Sequence, residues 1–481
     1  MTSLKKKAVG GVIWSGVDKS STMLIQFVFG IVLARLLLPE DYGLIGMITI
    51  FITVSQAIVE SGFSRALIQK KEANQIDYST TFFFNFLISI CIYGILYIVA
   101  PFIAGFYEEP LLIDLIKVVG LNVIVSSFAI IQRTILIKKI NFKAQAIVNI
   151  TSGLIGAFVG IGCALSGLGV WSLVLQYLSR NFATSVLFWI FNDWRPSFIF
   201  SINALKKLFN FGSKILASTL LYAAFQNIYL VVIGKIYKSE ELGYYTRATL
   251  FKQIPATLVT TIMQNVTFPI LVDVIEDDER VRKIMKRSVR LTSFLLFPMI
   301  TILIAFANPL VLVLLTEKWL PTVVLLQILA IGVIFFPINA INSNFINAKG
   351  RSDLFLKLEI INNILIVITL GITYSFGIEI IAVGYVIVSF IGFFTYAYYS
   401  GKYIGYSGFK QIIDMLQYAF VSIFLTAGSY FLWSFIEDQL LYLVLGICTV
   451  GIGYIVCAHL LKFEEYEEIK SIIRKKIGKA S

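Results

Sequence analysis

The residues able to do chemistry in this 481-residue sequence stand in the middle of apolar stretches. Asp18, Lys19, Glu60, Lys214, Arg247, Lys252 and Glu359 are the clearest cases. A charge at bilayer depth costs about 2.5–3.5 kcal/mol on insertion scales, so such groups face a protein interior or a wet cavity. Helical spacing joins them to amides and hydroxyls. Ser15, Asp18, Lys19, Thr22 and Gln26 share one face, as do Thr49, Thr53, Gln56 and Glu60. Lys214, Ser218, Tyr222 and Gln226 form a third stripe, and Arg247, Thr249, Gln253, Thr257, Thr260 and Gln264 a fourth. Lys19, Arg133, Arg180, Lys214, Arg247 and Lys252 outnumber Asp18, Glu60 and Glu359, so a cavity lined by these stripes is expected to be cationic. Such a lining suits an anion such as a pyrophosphate, which Arg binds through paired N–H groups and Lys as a point charge. The alternatives are local: Asp18 and Lys19 neutralise each other, and cations near helix ends snorkel to the interface.

Other chemistry has little to work with. There is one histidine, His459, and Cys91, Cys163, Cys448 and Cys457 all lie in apolar stretches as expected of inert small residues. No phosphate-binding glycine loop, paired carboxylates in an outer domain or sizeable polar domain is present, so the chain is not expected to be an enzyme or to need a cofactor. Asn339, Asn342, Asn344 and Asn347, with Asn362 and Asn363, either hydrogen-bond between helices or meet sugar hydroxyls.

The elements that must position these residues are membrane spans. Apolar residues make up 58% of the chain, charged residues only 14%, and mean hydropathy is +0.85. About 20 apolar residues cross a bilayer. Apolar segments run over 8–33, 42–63, 80–106, 111–137, 144–165 and 170–191, then 205–233, 242–271, 291–315, 323–346, 354–376 and 378–400, and finally 415–435 and 440–461. This predicts an all-α integral membrane protein of about fourteen helices: a lobe over 1–195, a lobe over 196–401, and two extra helices with a tail over 402–481.

The net charge of +12 is a topology signal rather than a nucleic-acid signal. Alternate loops, beginning with Lys5, Lys6 and Lys7, hold 29 of the 40 Lys and Arg residues, which predicts cytoplasmic amino and carboxyl termini. No cleavable signal peptide is expected, because the first apolar stretch carries Asp18 and Lys19 and lacks a clear small-residue cleavage site. The longest inner loop, 273–290, begins acidic and ends basic, as a solvated connector would.

The segment Ala34-Arg35-Leu36-Leu37-Leu38-Pro39-Glu40-Asp41-Tyr42-Gly43 is echoed 200 residues later by Gly234-Lys235-Ile236-Tyr237-Lys238-Ser239-Glu240-Glu241-Leu242-Gly243. A cation, two acids and a glycine coincide, and Gln26 aligns with Gln226. A six-helix unit used twice in the same orientation predicts two lobes related by an axis along the membrane normal, with a cavity between them.

These motifs, with Glu60-Ser61-Gly62-Phe63, Gly169-Val170-Trp171-Ser172-Leu173-Val174, Leu242-Gly243-Tyr244-Tyr245 with Arg247-Ala248, and Asn347-Ala348-Lys349-Gly350, resemble those of a polysaccharide transporter. The sequence resembles Wzx-type lipopolysaccharide flippases of the multidrug/oligosaccharidyl-lipid/polysaccharide (MOP) exporter superfamily, near the colanic-acid and teichuronic-acid branch. The resemblance implies a V-shaped pair of lobes in the bacterial inner membrane, alternating access, and outward movement of undecaprenyl-pyrophosphate-linked sugar repeats. Peptidoglycan-precursor flippases of that superfamily use arginines of the first two helices on the diphosphate. Arg35 and Glu60-x-Gly62-Phe63 look similar to their motifs, whereas the first helix offers Lys19 and the second no mid-span Arg. Lys19, Arg35, Glu60, Lys214, Gln226, Arg247 and Gln253 are expected to line the cavity, and Asp18, Glu60 and Glu359 to serve coupling to H+ or Na+. The implied partners are the lipid-linked oligosaccharide, membrane lipids and other polysaccharide assembly proteins, with no nucleic acid. The competing assignment is a MATE-like drug or cation antiporter, for which a cationic lumen is a poor match.

Overall fold

The computed structural model describes residues 2–60, 62–70 and 72–477. Ser61 of the Glu60–Phe63 motif, Lys71 and Lys479 lie outside the described residues, as do the side chains of Lys5, Lys6, Lys7 and Lys214. The described residues form nineteen α-helices, one short 3-10 turn at Glu317–Trp319 and no strand. The chain divides into two compact units, Met1–Gly243 and Tyr244–Ser481.

The first unit holds α1 (Thr2–Leu36), α2 (Pro39–Glu60), α3 (Phe63–Gln69), α4 (Gln75–Tyr107), α5 (Leu112–Lys138), α6 (Phe142–Leu165), α7 (Trp171–Phe191), α8 (Ile202–Gln226) and α9 (Ile228–Ile236). It also takes in the first residues of α10 (Ser239–Asp273). The second unit contains the rest of α10, α11 (Asp278–Ala305), α12 (Ala307–Leu314), α13 (Thr322–Val333), α14 (Phe335–Ala348), α15 (Ser352–Thr373), α16 (Ile378–Ile404), α17 (Gly408–Leu432), α18 (Gln439–Leu460) and α19 (Glu464–Ile477).

Local sequence explains the starts and breaks. Asn74 and Asp77 close a reciprocal capping box on α4, and Ser201, Asp277 and Asp438 cap α8, α11 and α18 with their side chains. The α8–α9 pair bends by 40° at Asn227, whose side-chain amide donates to the Ala223 carbonyl and competes with the helix ladder. Pro309 and Pro337 lack the N–H that would extend the ladder across the breaks before α12 and α14.

Among the described residues, eleven helices are long and apolar enough to cross a membrane, or twelve if the bent pair is one span. All fourteen apolar segments fall on helix, but the expected fourteen crossings are not all met by this criterion. Neither α7 nor α10 passes it, although they have 21 and 35 residues. Gln176, Arg180 and Asn181 interrupt the first, and Arg247, Lys252 and Gln253 the second.

Burial is inverted relative to a water-soluble protein. Phe102, Phe158, Phe420 and Phe431 are exposed, while Asn122, Gln132, Asn342 and Gln411 are fully buried. Apolar surface outside and hydrogen-bonded amides inside are what a lipid solvent selects. The chain is a multi-pass membrane protein. Small residues then set how closely helices approach. A Cβ at Gly156 would meet Arg180 Cβ at 2.7 Å, and one at Gly160 would meet Gln176 Cβ at 2.9 Å, so these glycines let α7 lie against α6.

Candidate functional site

The first unit gathers a polar stripe inside apolar helices. Asn149 of α6 donates its side-chain amide to both Asp18 oxygens of α1, at 3.1 and 3.0 Å, and Thr22 donates to Asp18 Oδ1 at 3.4 Å. Asp18 is therefore held by an amide rather than by its neighbour Lys19, which is exposed and makes no ion pair among the described residues. One turn further along, Thr22, Gln26, Gln176 and Arg180 line a cavity of about 20 Å³ with Gly153 and Ala157. That volume takes about one water and no sugar. Gln56 of α2 donates to the Tyr177 hydroxyl of α7, and Arg180 lies within the electrostatic reach of Asp18 and Tyr177. Four helices thus converge on one polar seam. Asn149, Gln176 and Tyr177 were not among the expected residues; their polarity inside apolar segments was the available signal.

The two hairpins of the 200-residue echo begin and end at matching positions. Helices α1 and α9 end at Leu36 and Ile236, and helices α2 and α10 begin at Pro39 and Ser239. Asp41 accepts from the Leu38 N–H at 2.9 Å, and Glu241 accepts from the Lys238 N–H at 2.8 Å. The two helix starts also cross. A Cβ at Gly43 would stand 1.7 Å from the Ser239 carbonyl oxygen, and one at Gly243 would stand 1.9 Å from the Pro39 carbonyl oxygen. Only glycine fits either position, so the glycine shared by the repeat marks a reciprocal backbone contact. Gly62 of the second motif has φ of 66°, and a Cβ there would lie 2.6 Å from the Gly212 carbonyl oxygen.

Charge surrounds this crossing. Lys235 Nζ lies 2.8 Å from Glu108 Oε1, and its hydrogen bond and charge lower the Glu108 carboxyl below its ordinary value. The next residue goes the other way: partial burial, then the charge of Glu40, raises Glu109 against a hydrogen bond from Ser239. Arg35 and Glu60 are exposed, as is Gln226.

In the second unit, Arg247 is buried with its guanidinium 5.6 Å from the Trp319 ring centroid. Lys252 is 3% exposed and its ammonium stands 3.4 Å over the Tyr385 ring. The aromatic face stabilises the cation without supplying a counter-charge. Gln253 is exposed. Glu359 of α15 accepts from the Tyr396 hydroxyl of α16 at 2.6 Å. Asn342 exchanges hydrogen bonds with Gln411 at 3.1 Å in both directions and accepts from Ser400 at 2.7 Å, which makes this amide an interhelical fastener. Asp18, Gln26 and Arg180 are thus brought together in one unit, while Arg247 and Lys252 occupy separate aromatic seats in the other. No group of three or more His, Cys, Asp or Glu suited to a metal occurs among the described residues.

The comparisons agree with this architecture. The chain is 26% identical over 357 residues to the teichuronic acid biosynthesis protein TuaB of Bacillus subtilis (strain 168), covering 74% of each chain. It is 22% identical over 371 residues to the lipopolysaccharide biosynthesis protein WzxC of Escherichia coli (strain K12), covering 76% of this chain and 75% of that one. Its fold matches the lipid II flippase MurJ in an inward closed conformation with a TM-score of 0.76 at 15% identity, over 94% of this chain and 99% of that chain. Residues 32–324, more than half of the sequence, match the polysaccharide biosynthesis protein family, and the chain belongs to that family.

Proposed function

We propose that this protein is a flippase that moves undecaprenyl-pyrophosphate-linked oligosaccharide repeats outward across the bacterial plasma membrane by alternating access. The observation that carries the reading is that a member of the polysaccharide biosynthesis family has, along nearly its whole length, the fold of a lipid II flippase. The buried cation Lys252 supports an anionic cargo, since no carboxylate forms an ion pair with it among the described residues. The protein acts as a transporter, not an enzyme, and its termini are cytoplasmic. Other polysaccharide assembly proteins are its proposed partners. Lys19, Arg35, Glu60, Lys214, Gln226, Arg247 and Gln253 serve the cargo. Asp18, Glu60 and Glu359 serve a coupling ion, H+ or Na+, and the amide donor on Asp18 holds that carboxylate in a fixed position.

The test is reconstitution in liposomes with a labelled undecaprenyl-pyrophosphate oligosaccharide, with a membrane-impermeant reagent reporting the exposed leaflet. Protein-dependent movement of label between leaflets is the expected result. A folded, inserted protein that leaves the label distribution equal to that of empty liposomes overturns the reading.

A further inference from the structure

The turn between α5 and α6 contains an unusual residue. Helix α5 closes with the Ile140 N–H bonded to the Ile137 carbonyl and the Asn141 N–H bonded to the Leu136 carbonyl, both at 2.9 Å. This closure places one residue in the left-handed region, normally glycine or asparagine. Here it is Ile140, with φ of 56°. A branched Cβ is poorly tolerated there, and local backbone strain of this kind accumulates at functional sites. Despite that strain, Ile140 is 38% exposed.

What the turn builds is a pocket. Gly10, Gly11 and Trp14 of α1, with Lys139, Ile140 and Lys143, line a recess of about 380 Å³, within the size range of small-ligand sites. A Cβ at Gly11 would lie 2.9 Å from the Phe142 ring and 3.3 Å from Ile140 Cγ2, so the glycine lets α1 close this wall. Among the described residues, nothing stands within 4 Å of a Cβ at Gly10. Lys143 places its ammonium 5.6 Å from the Trp14 ring centroid. The lysines are exposed, and no hydrogen bond or ion pair engages either through its side chain among the described residues.

We infer that this recess binds the phosphate headgroup of an anionic membrane lipid in the leaflet on the side of the amino terminus. Two ammonium groups supply the anion's counter-charge. Trp14 and Ile140 supply an apolar wall that a free phosphate would not use and a glycerol backbone with its first acyl carbons would. Basic recesses between spanning helices bind headgroups in this way, and Trp at the membrane boundary is the side chain suited to half-apolar contact. The site lies apart from the polar seam of α1, α2, α6 and α7, and the inference does not depend on the flippase reading.

The test uses the full-length protein, stripped of lipid in detergent and titrated with phosphatidylglycerol, phosphatidylcholine or inorganic pyrophosphate, with bound ligand counted by native mass spectrometry. The expected result is preferential retention of phosphatidylglycerol, reduced about tenfold or more in Lys139→Gln/Lys143→Gln and kept in Lys139→Arg/Lys143→Arg, at unchanged unfolding temperature. Ile140→Gly is expected to raise stability yet weaken lipid retention. Equal binding of phosphatidylglycerol to wild type and the double Gln variant overturns the site. Phosphatidylcholine held as well as phosphatidylglycerol overturns the charge argument, and pyrophosphate held as tightly as the lipid overturns the lipid assignment.

Discussion

At the residue scale, the informative groups are those whose partners differ from what neighbouring sequence suggests. Asp18 sits beside Lys19, yet both of its oxygens are held by the amide of Asn149, 131 positions away. Asn149→Ala leaves a half-buried carboxylate without its amide, and is expected to lower stability by about 1–3 kcal/mol, read as a lower unfolding temperature in detergent. Glu108 and Glu109 make a second test, because their carboxyls shift in opposite directions. A lowered Glu108 contributes stability above its unfolded value and loses it as pH falls through the folded one. A raised Glu109 favours the fold at low pH and loses that contribution as pH rises through its folded value. Glu108→Gln is therefore expected to destabilise slightly at pH 7 and progressively less as pH falls below the ordinary carboxylate range, whereas Glu109→Gln is expected to be neutral or stabilising at pH 7. Unfolding scans across that range read both, and raised salt is expected to shrink the Glu108 effect.

At the element scale, glycines decide which helices can meet. The Gly43 and Gly243 contacts leave no space for a methyl group, so either alanine variant must push the two helix starts apart. On the proposed alternating-access cycle, this crossing has to part and re-form. Gly43→Ala and Gly243→Ala are each expected to reduce flipping at least tenfold while the protein still inserts, and to raise the thiol reactivity of a Ser239→Cys reporter. Wild-type flipping with unchanged reporter reactivity would show the crossing to be incidental. The repeat itself was legible as two similar strings 200 residues apart, down to the capping acids at Asp41 and Glu241. That the two strings touch was not legible, because sequence similarity carries no information about contact.

At the scale of the whole molecule, buried cations mark where stability and function part. Lys252 has an aromatic face but neither a hydrogen bond nor an ion pair among the described residues. Lys252→Met keeps the side-chain volume and removes the desolvation cost, so its unfolding temperature is expected to equal or exceed that of wild type while flipping falls at least tenfold. Lys19→Ala, Lys214→Ala and Arg247→Ala are expected to lower surface polysaccharide at unchanged protein level. Normal polysaccharide in all three single variants would remove them from the cargo path.

By itself the sequence determined the lipid solvent and the all-helical class. Each of these depends on hydropathy, charge or spacing summed over many residues, and such sums survive errors at single positions. The number of crossings was less legible, because α7 and α10 carry polar side chains that composition alone cannot separate from loop. Only the tertiary structure decided which polar residue serves which partner: Asn149 on Asp18, Tyr396 on Glu359, Gln411 and Ser400 on Asn342, Tyr385 under Lys252. It also decided that an isoleucine would hold the strained turn beside Gly11. Those pairings join residues tens to more than a hundred positions apart. They follow from how glycines, caps and helix breaks bring distant faces together, and a one-dimensional period specifies a face without specifying its partner.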